Sequence, residues 1–385
     1  MVKFYNSKSE VGNIKLDKEL IIQFDIFTCK ISNKTTYVFI RLETKNKIVG
    51  WGEATLKNSE KEVIEELFKI RSGKVPRTIS DYTNQFRSPS KWKYGRTFIV
   101  CQSAIEQAVY EIRAISLGVP VYELLGGSIR QEIPYYANIN KGTLDRTTKG
   151  WIKRSKKAIE SGFNAIKFAP FDDVKFDGKI KNKKSVQDEV KKIISIREFV
   201  GDDIDLIIDC HWCFNEFETY EFIKNISSIN PFWIEAPILE NLKNIKSLKK
   251  IRNFANKHNI LLSGGEFLQG IHSFLPFLEN QVFDVINPDV RFCGILEMLH
   301  IGAISNAYKI KLSPHNPNGP IIDAASAHIC VASQSIFNFE MQFEESDLAN
   351  KLFSNHQVNF QNGFKNISDG IGWGINLDES LLTHI

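Results

Sequence analysis

Ionisable residues recur through the second half of the chain, each just past a short apolar run. Asp209 follows Leu206-Ile207-Ile208, and Glu235 follows Phe232-Trp233-Ile234. Glu266 follows Ile260-Leu261-Leu262 across a Ser263-Gly264-Gly265 link. Asp289 comes after Val285-Ile286-Asn287-Pro288, His315 after Lys311-Leu312-Ser313-Pro314, and Glu340 after Phe339. Lys167 lies near the end of an earlier run, Ala165–Phe168. From 209 to 340 these positions are 26, 31, 23, 26 and 25 residues apart, each about one strand-plus-helix unit. A single Asp after a strand is usually a helix cap or turn residue, and a single His there is more often just hydrogen-bonded. Seven in phase argue for one convergent site. Converging carboxylates repel, and their desolvation costs several kcal/mol each, on the order of what a bound cation must offset. Asp209, Glu235 and Glu266 supply only oxygen, which selects a hard cation such as Mg²⁺. Lys167, Asp289 and His315 would then face substrate.

Such convergence needs strands that all end at one mouth. From about residue 131, short β-branched or aromatic runs alternate with longer helical stretches. The runs are Ile133–Ala137, Ala165–Phe168, Leu206–Ile208, Phe232–Ile234, Ile260–Leu262, Val282–Ile286, Ile310–Leu312 and Ile336–Phe339. Alternation of this kind implies parallel pairing. Eight strands, with no G-x-G-x-x-G turn after any of them, favour a closed β/α barrel with its active site at the C-terminal strand ends. Before them, residues 19–30, 35–45 and 48–55 read as an antiparallel meander. Ile99–Leu117 reads as an amphipathic helix that Gly118-Val119-Pro120 stops.

Net charge is +4 from 49 basic and 45 acidic residues, a mixed surface without the basic footprint of a nucleic-acid binder. No stretch approaches 18 apolar residues, so no membrane partner is expected. The N-terminal residues lack a signal-peptide core, which makes a cytoplasmic location the expectation. Six scattered cysteines do not form a disulfide framework. Cys210-His211-Trp212-Cys213 could be half a zinc site or a redox pair, but no second C-x-x-C accompanies it. The Lys-rich stretch 175–192 reads as a solvated loop and helix face.

At these residues the chain resembles the enolase superfamily, in its mandelate racemase-like branch of acid-sugar dehydratases. The likeness spans nearly the whole length. Gly50-Trp51-Gly52-Glu53-Ala54 is similar to the capping-domain signature, and Ser103 through Gly127 to the helix joining cap and barrel. Ile208-Asp209, Trp233–Pro237, Gly265-Glu266, Asn287-Pro288-Asp289 and Ser313–Pro317 match the strand-end motifs in order, and Gly370–Ile375 resembles the tail. The resemblance implies an α/β fold, a modified TIM-type (β/α) barrel with an α+β N-terminal capping domain completed by the C-terminal tail. The implied divisions are a cap over 1–128, a barrel over 129–355 and a tail over 356–385. It implies Mg²⁺ on Asp209, Glu235 and Glu266, with the metal and Lys167 holding the substrate carboxylate and the ene-diolate. His315, oriented by Asp289, would be the base at C2, and Glu340, protonated, would hydrogen-bond the oxyanion. It further implies a homo-oligomer, from dimer to octamer.

Two positions choose within the branch. Lys167-Phe168-Ala169 has Ala169 where a Lys-x-Lys racemase carries its second base. His211 follows Asp209 by two, and strand period two would turn both the same way if extended geometry continues. In related dehydratases that His protonates a departing hydroxyl. The reading is therefore a Mg²⁺-dependent hydro-lyase acting on an aldonic acid such as gluconate or galactonate and giving a 2-keto-3-deoxy acid. The rivals are a racemase or epimerase on the same scaffold, a non-catalytic sugar-acid or metal-binding barrel, and a zinc or redox protein built on Cys210 and Cys213. Phe267, the insertion 171–182, and cap segments 13–20 and 90–96 with Lys91, Trp92, Lys93, Tyr94 and Arg96 bear on substrate identity.

Overall fold

The computed structural model of the protein describes residues 20–73, 81, 95–174, 183–352 and 361–385. Strands β1 (Ile21–Lys30), β2 (Thr36–Thr44) and β3 (Val49–Glu53) form the expected antiparallel meander. Helix α1 (Glu60–Ser72) follows, and then α2 (Gly95–Leu117), which starts four residues before the helix read from the sequence. On β3, Gly50 and Gly52 share a face by the strand period. A Cβ at either would run into the backbone carbonyls of Ala108 and Ala104 in α2. The two glycines thus let the helix lie directly on the strand. Gly118, at φ 71°, ends α2 in the left-handed region where glycine is favoured. A short turn of helix, α3 (Val121–Leu124), leads to the barrel.

The barrel alternates as the apolar runs require: β4 (Glu132–Asn138), α4 (Thr148–Glu160), β5 (Ala165–Phe168), α5 (Lys183–Val200), β6 (Asp205–Asp209), α6 (Glu216–Ile226), β7 (Trp233–Glu235), α7 (Ile245–Asn256), β8 (Leu261–Gly264), α8 (Gly270–Glu279), β9 (Val285–Ile286), α9 (Val290–Cys293), α10 (Ile295–Ala307), β10 (Lys311–Leu312), α11 (Pro320–Ala332), β11 (Phe339–Gln342) and α12 (Asp347–Lys351). Neighbouring strands pair in parallel in the order β10-β9-β8-β7-β6-β5-β4-β11. The sheet curls back on itself where Leu312 N–H donates to Ser335 O (3.0 Å) and Phe337 N–H to Leu312 O (2.9 Å). Buried on both faces along most of their length, these strands carry short apolar runs rather than a strict alternation, which is why they stood out in the sequence.

Two buried carboxylates dock the first sheet and helix onto the barrel. Glu53, the last residue of β3, accepts from Gly319 N (2.9 Å), Ile321 N (3.2 Å) and Ile322 N (3.3 Å) at the start of α11. Glu106 of α2 accepts from Ile295 N (2.9 Å) at the start of α10. Each meets the unsatisfied N–H groups and positive end of a helix. The C-terminal segment returns across both parts. There β12 (Phe364–Asn366) pairs antiparallel with β4, Trp373 Nε1 donates to Trp51 O, and β13 (Thr383–His384) joins the edge of the first sheet beside β1. Among the described residues no helix is long and apolar enough to cross a membrane.

Candidate active site

Asp209 ends β6 and Glu235 ends β7, and parallel pairing sets the two side by side. Glu266 arrives two residues past β8 through Gly265, whose φ of 103° turns the chain inward. A Cβ on Gly265 would come 2.9 Å from the Phe274 ring, so the turn requires glycine there. One carboxylate oxygen from each of the three residues lies within 4.8 Å of the other two, and all three side chains are buried. Glu266 Oε2 lies 3.0 Å from His315 Nε2, an ion-pair distance, and is a buried oxygen without a formed hydrogen bond. An all-oxygen, three-carboxylate cluster with an unsatisfied buried oxygen fits a hard divalent cation.

His315, past β10, sets Nδ1 2.9 Å from Asp289 Oδ2. Asp289 is itself gripped by Arg291, with Nη2 2.5 Å and Nε 3.0 Å from Oδ2. Burial would raise the Asp289 pKa, but Arg291 and His315 outweigh it and hold the carboxyl well below the usual carboxylate range. It is therefore a fixed anion that accepts from Nδ1–H and turns Nε2 toward the carboxylates. Burial alone would lower the His315 pKa; Glu266 and Glu340 oppose it and push the imidazole up to about 10.

His211 reaches the same cluster by a different route from the one the strand period suggests. Extended geometry stops at Asp209: His211 has φ 42° and Trp212 φ 55°. This left-handed turn is held by Trp212 N–H donating to Ala236 O (2.7 Å) and by Trp212 Nε1 donating to Glu240 (2.8 Å). The turn swings the imidazole back, placing Nε2 2.9 Å from Asp209 Oδ2 and Nδ1 2.5 Å from Asp172 Oδ1. Burial works against charge on His211, but Asp209 and Asp172 prevail and raise its pKa well above the ordinary value.

Lys167, 1% exposed, bridges Glu235 Oε1 (2.8 Å) and Glu340 Oε1 (2.9 Å). Burial would lower the ammonium pKa, yet these carboxylates raise it well above normal, so Lys167 stays charged. Glu340 also accepts from Asn138 Nδ2 (2.5 Å) and Asn316 N–H (3.0 Å). Here the sequence expectation is corrected. Burial favours the protonated form, but Lys167 and His315 outweigh it and lower the pKa, making Glu340 an ionised acceptor rather than a protonated donor.

All eight residues read from the sequence thus meet at the C-terminal strand ends. Asp172, Asn138, Arg291 and Asn316 were not foreseen. Arg291 could have been, since it follows Asp289 by two on a helix start; Asp172 stands in an irregular loop with no period to mark it. Cys210 is buried and Cys213 partly so, and neither belongs to the ligand cluster. A cavity of about 390 Å³ opens over the site, lined by Asp209, Glu266, His211 and His315 below and by Lys34, Lys57, Arg96 and Phe267 above. Of the segments expected to bear on specificity, 13–19, 90–94 and 175–182 lie outside the described residues.

Residues 24–126 match the family described as mandelate racemase / muconate lactonizing enzyme, N-terminal domain, and residues 151–381 the family described as enolase C-terminal domain-like. A D-galactonate dehydratase of Pectobacterium atrosepticum is 29% identical over 310 residues, covering 78% of each chain. Another, of Xanthomonas oryzae pv. oryzae, is 27% identical over 368 residues, covering 92% of this chain and 93% of that one. Among solved structures, a member of the enolase superfamily from Salmonella Typhimurium superposes with a TM-score of 0.81 at 22% identity, over 95% of this chain and 99% of that one. A mandelate racemase/muconate lactonizing enzyme from Jannaschia sp. CCS1 gives 0.81 at 21% identity, over 94% and 96%. With both halves matched in order, the chain belongs to the enolase superfamily.

Proposed function

We propose that this chain is an acid-sugar dehydratase, acting with Mg²⁺ on an aldonic acid of the gluconate or galactonate type. The observation that carries the reading is the pair of imidazoles reaching one carboxylate cluster from two strand ends, each backed by an aspartate: His315 by Asp289, and His211 by Asp172. Elimination of water needs a base at C2 and an acid at the departing hydroxyl, and two such groups are present. A lysine base beside Lys167, as two-base racemisation would use, is replaced by buried Ala169. The D-galactonate dehydratase relatives support the same class.

Asp209, Glu235 and Glu266 would hold the cation. When bound, it would stabilise the negative charge that builds on the substrate carboxylate and counter the carboxylates that keep His315 protonated. His315 Nε2 takes the C2 proton, and Asp289 stabilises the imidazolium through Nδ1–H. Lys167, buried between Glu235 and Glu340, offsets part of their charge. His211 donates a proton to the 3-hydroxyl as the C3–O bond breaks. C2–H and C3–O are lost, C2=C3 forms, water departs, and the enol tautomerises to a 2-keto-3-deoxy acid.

The test is to incubate the protein with a set of aldonic and aldaric acids, with Mg²⁺ or with EDTA, and follow 2-keto acid as its semicarbazone. A Mg²⁺-dependent signal on one or two acids is expected. Silence on all of them, with C2 deuterium exchange present, would replace the dehydratase by a racemase or epimerase.

A further inference from the structure

Six cations line the cavity over the carboxylates, and three of them are already engaged. Lys141 Nζ lies 3.5 Å from Glu345, Arg146 Nη2 3.6 Å from Asp172, and Arg291 Nη2 2.5 Å from Asp289. The other three, Lys34, Lys57 and Arg96, have no ion-pair partner among the described residues. They come from separate places: Lys34 from the β1–β2 hairpin, Lys57 from the turn after β3, and Arg96 from the start of α2. The carboxylates that share the cavity, Asp172, Asp209 and Glu266, are taken up by the two imidazoles, by Arg146 and by the proposed cation. Among the described residues the rim therefore keeps a positive charge without an anionic partner.

Lys34, Lys57 and Arg96 are all exposed, and two features bear on how their charge is presented to the cavity. The Arg96 guanidinium sits 4.4 Å from the centroid of the Phe267 ring, which stacks on Trp212 at 5.0 Å. Phe267 follows Glu266 and Trp212 follows His211, so Arg96 is anchored over the very turns that carry the site. Stacking fixes a guanidinium without neutralising it and leaves its fork free for an anion. In addition, the Lys141 ammonium is destabilised by burial and then, against the pull of Glu345, by Arg291 and Lys57. Like charges crowded at one rim repel unless an anion joins them.

We infer that the substrate carries a second anionic group at the end remote from its reacting carboxylate, a terminal carboxylate or phosphate ester, bound by Lys34, Lys57 and Arg96. This rests on the acid-sugar reading above and changes its substrate from a plain gluconate or galactonate to an acid sugar charged at both ends. A plain aldonate presents only hydroxyls to the rim; an aldarate, or an aldonate phosphorylated on its last hydroxyl, matches it with charge-assisted hydrogen bonds.

The test is calorimetric titration of the Mg²⁺-loaded His315→Asn variant, which binds without turnover, with a hexarate, a 6-phosphoaldonate and the plain hexonate. One of the two dianions should bind about tenfold tighter than the hexonate, and the tighter of the two identifies the terminal group. Adding Arg96→Gln and Lys57→Gln should erase that advantage and leave hexonate binding unchanged. Equal binding of all three, binding of none, or an advantage that survives in the rim variant overturns the inference. Keto acid formed from plain hexonates by the wild type, regardless of the rim, would leave the dehydratase standing without it. Rim-dependent binding with no keto acid from any acid would sink the dehydratase alone.

Discussion

Asp172 and His211 come from different strand ends, yet a carboxylate oxygen of the first lies 2.5 Å from Nδ1 of the second. Arg146 holds Asp172 from the other side, with Nη2 3.6 Å from Oδ2. The relationship mirrors Asp289 and His315, where Arg291 plays the outer part. In each pair the aspartate fixes which nitrogen carries the proton and which faces the site.

Asp172 should therefore matter through His211. Asp172→Asn keeps shape but gives up the anion. It should lower kcat for dehydration by about 10- to 100-fold while KM moves little. Steady-state kinetics on the identified acid checks this. A rise in KM with kcat unchanged would mean that Asp172 binds substrate instead.

The carboxylate cluster predicts a cation-dependent reversal of stability. Burial raises the Glu235 pKa, and Lys167 only partly offsets it, so the ionised side chain is costly without a cation. In EDTA, Glu235→Gln should be at least as stable as the wild type. With Mg²⁺ at about 100 times Kd the wild type should gain roughly 2.7 kcal/mol, and the variant little or none. Thermal unfolding with and without Mg²⁺ decides, and an equal Mg²⁺ response in both proteins would remove Glu235 from the ligand set.

How much of this was legible beforehand follows from geometry. Strands buried on both faces carry short apolar runs, so their ends, and the charges at those ends, could be counted off directly: Lys167, Asp209, Glu235, Glu266, Asp289, His315 and Glu340. His211 does reach the cluster, but not by the extended geometry read from the sequence, because the left-handed turn at 211 and 212 is imposed by Ala236 and Glu240 from the next strand end. Asp172 was not legible. Its loop has no period, and its significance appears only when β5 and β6 lie side by side. The ionisation of Glu340 depends on Lys167 and His315, contacts that no spacing reveals.

The seam between tail and barrel should be acid-sensitive. His328 accepts from Tyr122 N–H at Nδ1 (3.0 Å) and faces Trp373 O with Nε2 (3.3 Å), which suits a neutral ring. Burial pushes its pKa down to about 4. The unfolded chain, titrating near 6.5, binds the proton first as pH falls. Stability is thus complete above about 6.5, is lost progressively toward 4, and falls no further from this residue below that. The gap is worth roughly 3 kcal/mol. His328→Gln should be the less stable protein at pH 7, and its deficit should shrink toward pH 4. Denaturant unfolding across that range measures it, and a constant difference would contradict the assignment.

The most direct test of the central claim follows deuterium at C2 in D₂O, with Mg²⁺, for the wild type, His211→Asn and His315→Asn. If His315 is the base and His211 the acid, the wild type forms 2-keto acid, and His211→Asn incorporates deuterium at C2 without forming it. His315→Asn does neither, with losses of about 10² to 10⁴ in each missing step. Deuterium incorporation by His315→Asn at the wild-type rate would contradict the assignment of the base and, with it, the proposed chemistry.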